Sequence, residues 1–65
     1  MPRYHLTYYY LATGMEGVPD VSDYGIVDAA TPEEAKRVAA RCRHPTMSES
    51  DLQWTMGCLT AKLVR

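Results

Sequence analysis

The chain has 65 residues, with seven Lys plus Arg against eight Asp plus Glu, a net charge of -1, and 46% hydrophobic residues. Such a length reads as one small domain spanning 1–65, in which folding buries only about 60% of the surface the unfolded chain exposes. The near-neutral balance excludes a long-range field drawing it to nucleic acid or an anionic membrane. Two cysteines, Cys42 and Cys58, with no visible export signal or apolar span, make a cytoplasmic protein with reduced thiols the expectation. Five Tyr and one Trp stand against no Phe, so nearly all the aromatic bulk carries a polar tip. Rings of that kind suit half-covered sheet faces and interfaces.

From Arg3 to Thr13 the run RYHLTYYYLAT predicts a first strand, ended by Gly14. Tyr4, Leu6, Tyr8, Tyr10 and Ala12 share its more apolar face, which is expected beneath a helix. His5, Thr7 and Tyr9 then lie on an open or partner-covered face. Gly14 to Asp23 contains two Gly, one Pro and three acids, and predicts a solvated connector. Tyr24 to Ala30 predicts a second strand, antiparallel to the first.

Thr31-Pro32-Glu33-Glu34 is a helix start: a capping hydroxyl, a proline where a missing N–H is harmless, and Glu34 in the place that completes a Thr-x-x-Glu box. The helix is predicted from Pro32 to about Arg43, with Ala35, Val38, Ala39 and Cys42 as its apolar stripe. Glu33 and Arg37 stand four apart, the spacing of a favourable pair, and Pro45 stops the helix after His44.

The last segment admits two readings. A second helix opening at Ser50-Asp51 aligns Leu52, Met56, Leu59 and Leu63, while a strand from Gln53 to Val64 puts Trp54, Met56, Cys58 and Thr60 on one face. The strand is preferred, because Trp54, Thr55, Thr60 and Val64 favour extended backbone and Gly57 weakens a helix. The expected fold is therefore α+β with β-β-α-β order: a three-stranded, mostly antiparallel sheet with one helix packed on one face.

Motifs for chemistry are sparse. Cys42, His44, Cys58 and His5 are of metal-ligand type, but Cys42-x-His44 is their one close pair, so no metal site and no cofactor are expected. Cys58, His5 and Asp28 could meet as nucleophile, base and acid, yet no nucleophile elbow, phosphate loop or His-Glu-x-x-His helix accompanies them. No catalytic residue is assigned and an enzyme is not expected. Lys36, Arg37, Arg41, Arg43 and His44 form the one concentrated positive cluster. Its Arg37, Arg41 and Arg43 are the candidate nucleic-acid contacts of an alternative reading, with sheet tyrosines stacking bases.

Pro19-Asp20-Val21, followed by Asp28-Ala29-Ala30-Thr31-Pro32-Glu33-Glu34-Ala35, resembles the second half of the HicB-like antitoxin core, where a Pro-Asp-Leu segment precedes a Thr-x-Glu-Glu-Ala helix start. The resemblance covers about a quarter of the chain. That family has two strands before the Pro-Asp-Leu segment where this chain has room for one, and its Pro-Gly-Cys continuation is missing here. It implies an antitoxin-type, nucleic-acid-associated module as the alternative. The leading expectation is a small non-enzymatic interaction protein that forms a homodimer through His5, Thr7, Tyr9 and Trp54. A further protein partner comes next and nucleic acid after that, with no membrane role.

Overall fold

The computed structural model describes residues 1–11, 17 and 19–65. Five elements follow in chain order: β1 (Arg3–Tyr10), β2 (Asp20–Asp28), α1 (Pro32–Arg43), α2 (Glu49–Gly57) and β3 (Leu59–Leu63). The three strands form one antiparallel sheet of order β2-β1-β3. The class is α+β, as expected, but the order is β-β-α-α-β, and two helices rather than one accompany the sheet.

The difference lies between His44 and Leu59. The Ser48 hydroxyl accepts the Asp51 N–H at 3.2 Å and opens α2 two residues before the expected Ser50. An acid three residues after a serine is a helix-start signal in its own right, and it outweighs the modest strand preference of Trp54 and Thr55. The strand expected from Gln53 shrinks to Leu59–Leu63. Trp54 thus projects from a helix, not from the sheet.

Two further expectations shift. The second strand begins at Asp20, so the connector expected to reach Asp23 gives way to strand four residues earlier. Strand structure ends at Asp28, with the Ala29 N–H bonded to the Pro2 carbonyl at 3.0 Å. The first strand stops at Tyr10 and does not include Leu11, while Ala12 and Thr13 of its predicted extension, and residues 14–16 and 18 of the connector, lie outside the described residues.

A bulge between Leu6 and Thr7 of β1 leaves Tyr24 of β2 unpaired: Leu6 faces Gly25, and Thr7 faces Asp23. Gly25 supplies the required backbone with φ of +87°, a region other residues enter at a cost. Asp23 Oδ1 accepts the Gly25 N–H at 2.8 Å and stabilises the kink. Beyond the bulge the alternation of β2 is reset, so Tyr24 joins Tyr8 on the helix side while Asp23 falls on the opposite face.

The core gathers Tyr4 and Leu6 from β1, Ala29, Ala35, Ala39 and Ala40 from α1 and its approach, Leu52 from α2 and Leu59 from β3. Leu6 and Leu52 are its largest fully buried side chains. The alanines let α1 lie close on the sheet but contribute little apolar volume, which keeps the core small. The buried stripe of α1 is Ala35, Ala39 and Ala40; Val38 and Cys42 of the expected stripe are exposed. Packing against α2 rotates the buried arc toward Ala40, the flank that also carries Arg37 and Arg41.

Candidate functional site on the open sheet face

The alternation of β1 divides the sheet as its sequence predicts. Tyr4 and Leu6 are buried and Tyr8 is half-buried on the helix side, while His5, Thr7 and Tyr9 look the other way. Neither helix covers that second face.

Register places its side chains in three columns. Along central β1 run Arg3, His5, Thr7 and Tyr9. Beside them on β2 stand Asp28, Ile26, Asp23 and Val21 as their direct partners, and on β3 Lys62 pairs with His5 and Thr60 with Thr7. Tyr9, Val21 and Ile26 are 52%, 56% and 60% exposed, large values for apolar side chains in the middle of a fold. Val21 lies directly across from Tyr9, and Ile26 across from His5.

An ion pair and a side-chain hydrogen bond tie β1 to β2 on this face. Arg3 Nε donates to Asp28 Oδ1 at 2.9 Å, and His5 Nε2 lies 2.9 Å from Asp23 Oδ1. The Gly25 backbone N–H, and then His5, hold the Asp23 carboxyl below the usual carboxylate range; the Arg3 hydrogen bond does the same for Asp28. Among the described residues no carboxylate lies within ion-pair reach of Lys62. The acidic side chains therefore line the β2 edge, and the basic Lys62 stands on β3.

Of the four side chains expected to share one association surface, His5, Thr7 and Tyr9 do so. Trp54 does not: it packs edge-on against Tyr10, ring centroids 5.1 Å apart, on the helix side. Val21, Asp23, Ile26 and Lys62 complete the face and were not singled out from the sequence. The signal for the β2 residues is Gly25, since a glycine inside a strand pattern marks a bulge and a change of facing.

The three candidate nucleic-acid arginines are engaged within the fold. Arg37 makes a two-pronged ion pair with Glu49 across the helix pair, in place of the expected bond to Glu33, whose nearest cation is Lys36 at 4.0 Å. Arg41 Nη1 donates to the Met47 carbonyl at 2.6 Å, and its Nη2 lies 3.6 Å from Glu49. The Arg43 guanidinium sits 4.6 Å above the Tyr24 ring. Arg37 and Arg41 thus hold α2 against α1, while Arg43 caps the Tyr24–Tyr8 stack.

Cys42, His44, Cys58 and His5 stay apart. Cys42 is exposed on α1, His44 caps that helix 3.4 Å from the Tyr24 hydroxyl, Cys58 caps α2, and His5 belongs to the open face. Among the described residues no three His, Cys, Asp or Glu side chains cluster as metal ligands would, and no cavity forms. No helix of the described residues is long and apolar enough to cross a membrane.

No family model, curated relative or solved structure matches this chain.

Proposed function

We propose that this chain is a small interaction protein that associates with a second copy of itself through the open sheet face. The observation that carries the reading is the exposed trio Tyr9, Val21 and Ile26 on a sheet surface that both helices leave uncovered. With Leu6 and Leu52 as its largest fully buried side chains, the fold gains little from its own core, and covering this face is the available source of further apolar burial. A twofold pair is the simplest closed arrangement that covers it on both chains.

The extent of the face sets the strength. Three strands about 4.8 Å apart, with up to nine residues at about 3.3 Å each, present roughly 400 Å² per copy. That is about half the contribution per partner in a standard interface, so association is expected to be micromolar or weaker.

Sedimentation equilibrium over the micromolar to millimolar range tests the reading. The mass should rise toward that of two chains, and Tyr9→Ser should lower it. Trp54→Ser, on the other side of the sheet, should leave it unchanged. A single-chain mass throughout overturns the proposal.

A further inference from the structure

Resting on that homodimer reading, we infer how the two copies are oriented: the twofold axis runs along the strands, so that β2 of each chain lies over β3 of the other and Lys62 is received between the partner's Asp23 and the partner's Asp28.

The inference follows from the charge pattern of the face. Its three columns are unlike: β2 carries Asp28 and Asp23 with Ile26 and Val21 between and beyond them, β1 carries Arg3 to Tyr9, and β3 carries Thr60 and Lys62. Two sheets packed face to face about a twofold axis have two limiting orientations. An axis across the strands keeps every strand over its own copy. The acidic column then overlies itself in reverse, setting Asp23 against the partner's Ile26 and Lys62 over the partner's Thr60, with the partner's Lys62 as its nearest charge. Carboxylates are desolvated against apolar groups and like charges gather.

An axis along the strands exchanges the two sides of the sheet. Each β2 overlies the partner's β3 and β1 overlies its copy, which also sets Arg3 over the partner's Arg3, where each guanidinium keeps its own Asp28 as counter-ion. Tyr9 then meets the partner's Tyr9 near the axis, and Ile26 covers the aliphatic stem of the partner's Lys62. Lys62 falls two residues along the strand, about 7 Å, from the level of each of the partner's two carboxylates, within the reach of its long side chain. Lys62, which among the described residues of its own chain has no carboxylate within ion-pair reach, gains two in the pair. The Arg3–Asp28 and His5–Asp23 bonds need not break, since a carboxylate has acceptor sites to spare. The tilt of about 30° usual between packed sheets leaves this choice of side unchanged.

Charge exchange between two chains is the test. Lys62→Glu alone and Asp28→Lys alone should each weaken self-association. Mixing the two variants should restore it, with a heterodimer at least about tenfold tighter than either homodimer, because each then meets an opposite charge. Since Asp28→Lys also breaks the bond to Arg3, Ile26→Lys mixed with Lys62→Glu repeats the experiment at the position directly over Lys62, and circular dichroism confirms that each variant is folded. A mixture no tighter than its components overturns the orientation. A Lys62→Glu chain that pairs best with the unaltered chain also overturns it, and assigns the axis across the strands. If Tyr9→Ser weakens association while these charges do nothing, the orientation fails and the homodimer stands. If the unaltered chain sediments as one chain throughout, both fail.

Discussion

Tyr24 stacks on Tyr8 with ring centroids 5.5 Å apart and planes within 10° of parallel. Simple alternation along β2 would put Tyr24 on the opposite face of the sheet; the extra residue at the bulge turns it toward Tyr8. Arg43 closes the other side of the Tyr24 ring, and burial pushes the Tyr8 phenol up from its ordinary value. The bulge therefore decides the contents of both faces, bringing Tyr24 to the core side and Asp23 to the open one.

Gly25→Ala tests that dependence. A Cβ at Gly25 meets nothing within 4 Å, so the cost is conformational, from forcing a side chain into φ of +87°. A loss of about 1 to 2 kcal/mol is expected by urea denaturation. An unchanged midpoint would show that the kink relaxes without the glycine.

Arg41→Ala should destabilise the fold by about 1 kcal/mol, since a charged donor to the Met47 carbonyl is lost at a half-exposed site. Glu49→Gln should lower stability as well, by removing the shared partner of Arg37 and Arg41. Both losses should be smaller in high salt if ion pairing holds α2 against α1. An oligonucleotide titration provides the contrast: salt-dependent binding that Arg41→Ala weakens, with stability unaffected, would favour the nucleic-acid reading instead.

Each helix start can be weighed separately. Thr31 Oγ1 accepts the Glu34 N–H at 3.1 Å, although among the described residues Glu34 makes no reciprocal bond to Thr31. Thr31→Ala and Ser48→Ala should each cost about 1 kcal/mol and should add, the two caps sharing no partner. Ser50→Ala, inside α2, should change little. The opposite ranking of Ser48 and Ser50 would return the start of α2 to the later serine.

Acid should unfold the protein through named carboxylates. Asp23, Asp28 and Glu49 are held below their ordinary values, first by the Gly25 N–H, by Arg3 and by Arg37 respectively. In that range the unfolded chain binds more protons than the folded one. The three contributions are therefore complete above the ordinary carboxylate range near pH 4 and are lost as pH falls through the lowered values. Asp28→Asn should flatten the acid limb of a stability-against-pH curve, and an unaltered limb would count against the Arg3 bond.

What the sequence by itself determined is local. Thr31-Pro32 marks the start of α1, the alternation of β1 separates Tyr4 and Leu6 from His5, Thr7 and Tyr9, and Pro45 ends the helix at Arg43, with His44 out of helical backbone at φ of -133° and ψ of 75°. Each rests on residues a few positions apart, where capping, ring geometry and pleat act without help from the rest of the chain. Tertiary structure decided the remainder. Between Ser48 and Leu63, helix and strand preferences nearly balance, and the Arg37 and Arg41 contacts to Glu49, with Leu52 fully buried, favour a helix followed by a short strand. The facing of Asp23 and Tyr24 depends on a one-residue slip against β1, and the column order β2-β1-β3 depends on which strand occupies the centre. That order sets the acids of β2 opposite Lys62 across the sheet, because backbone pairing between distant segments, rather than any local preference, determines which side chains share a face.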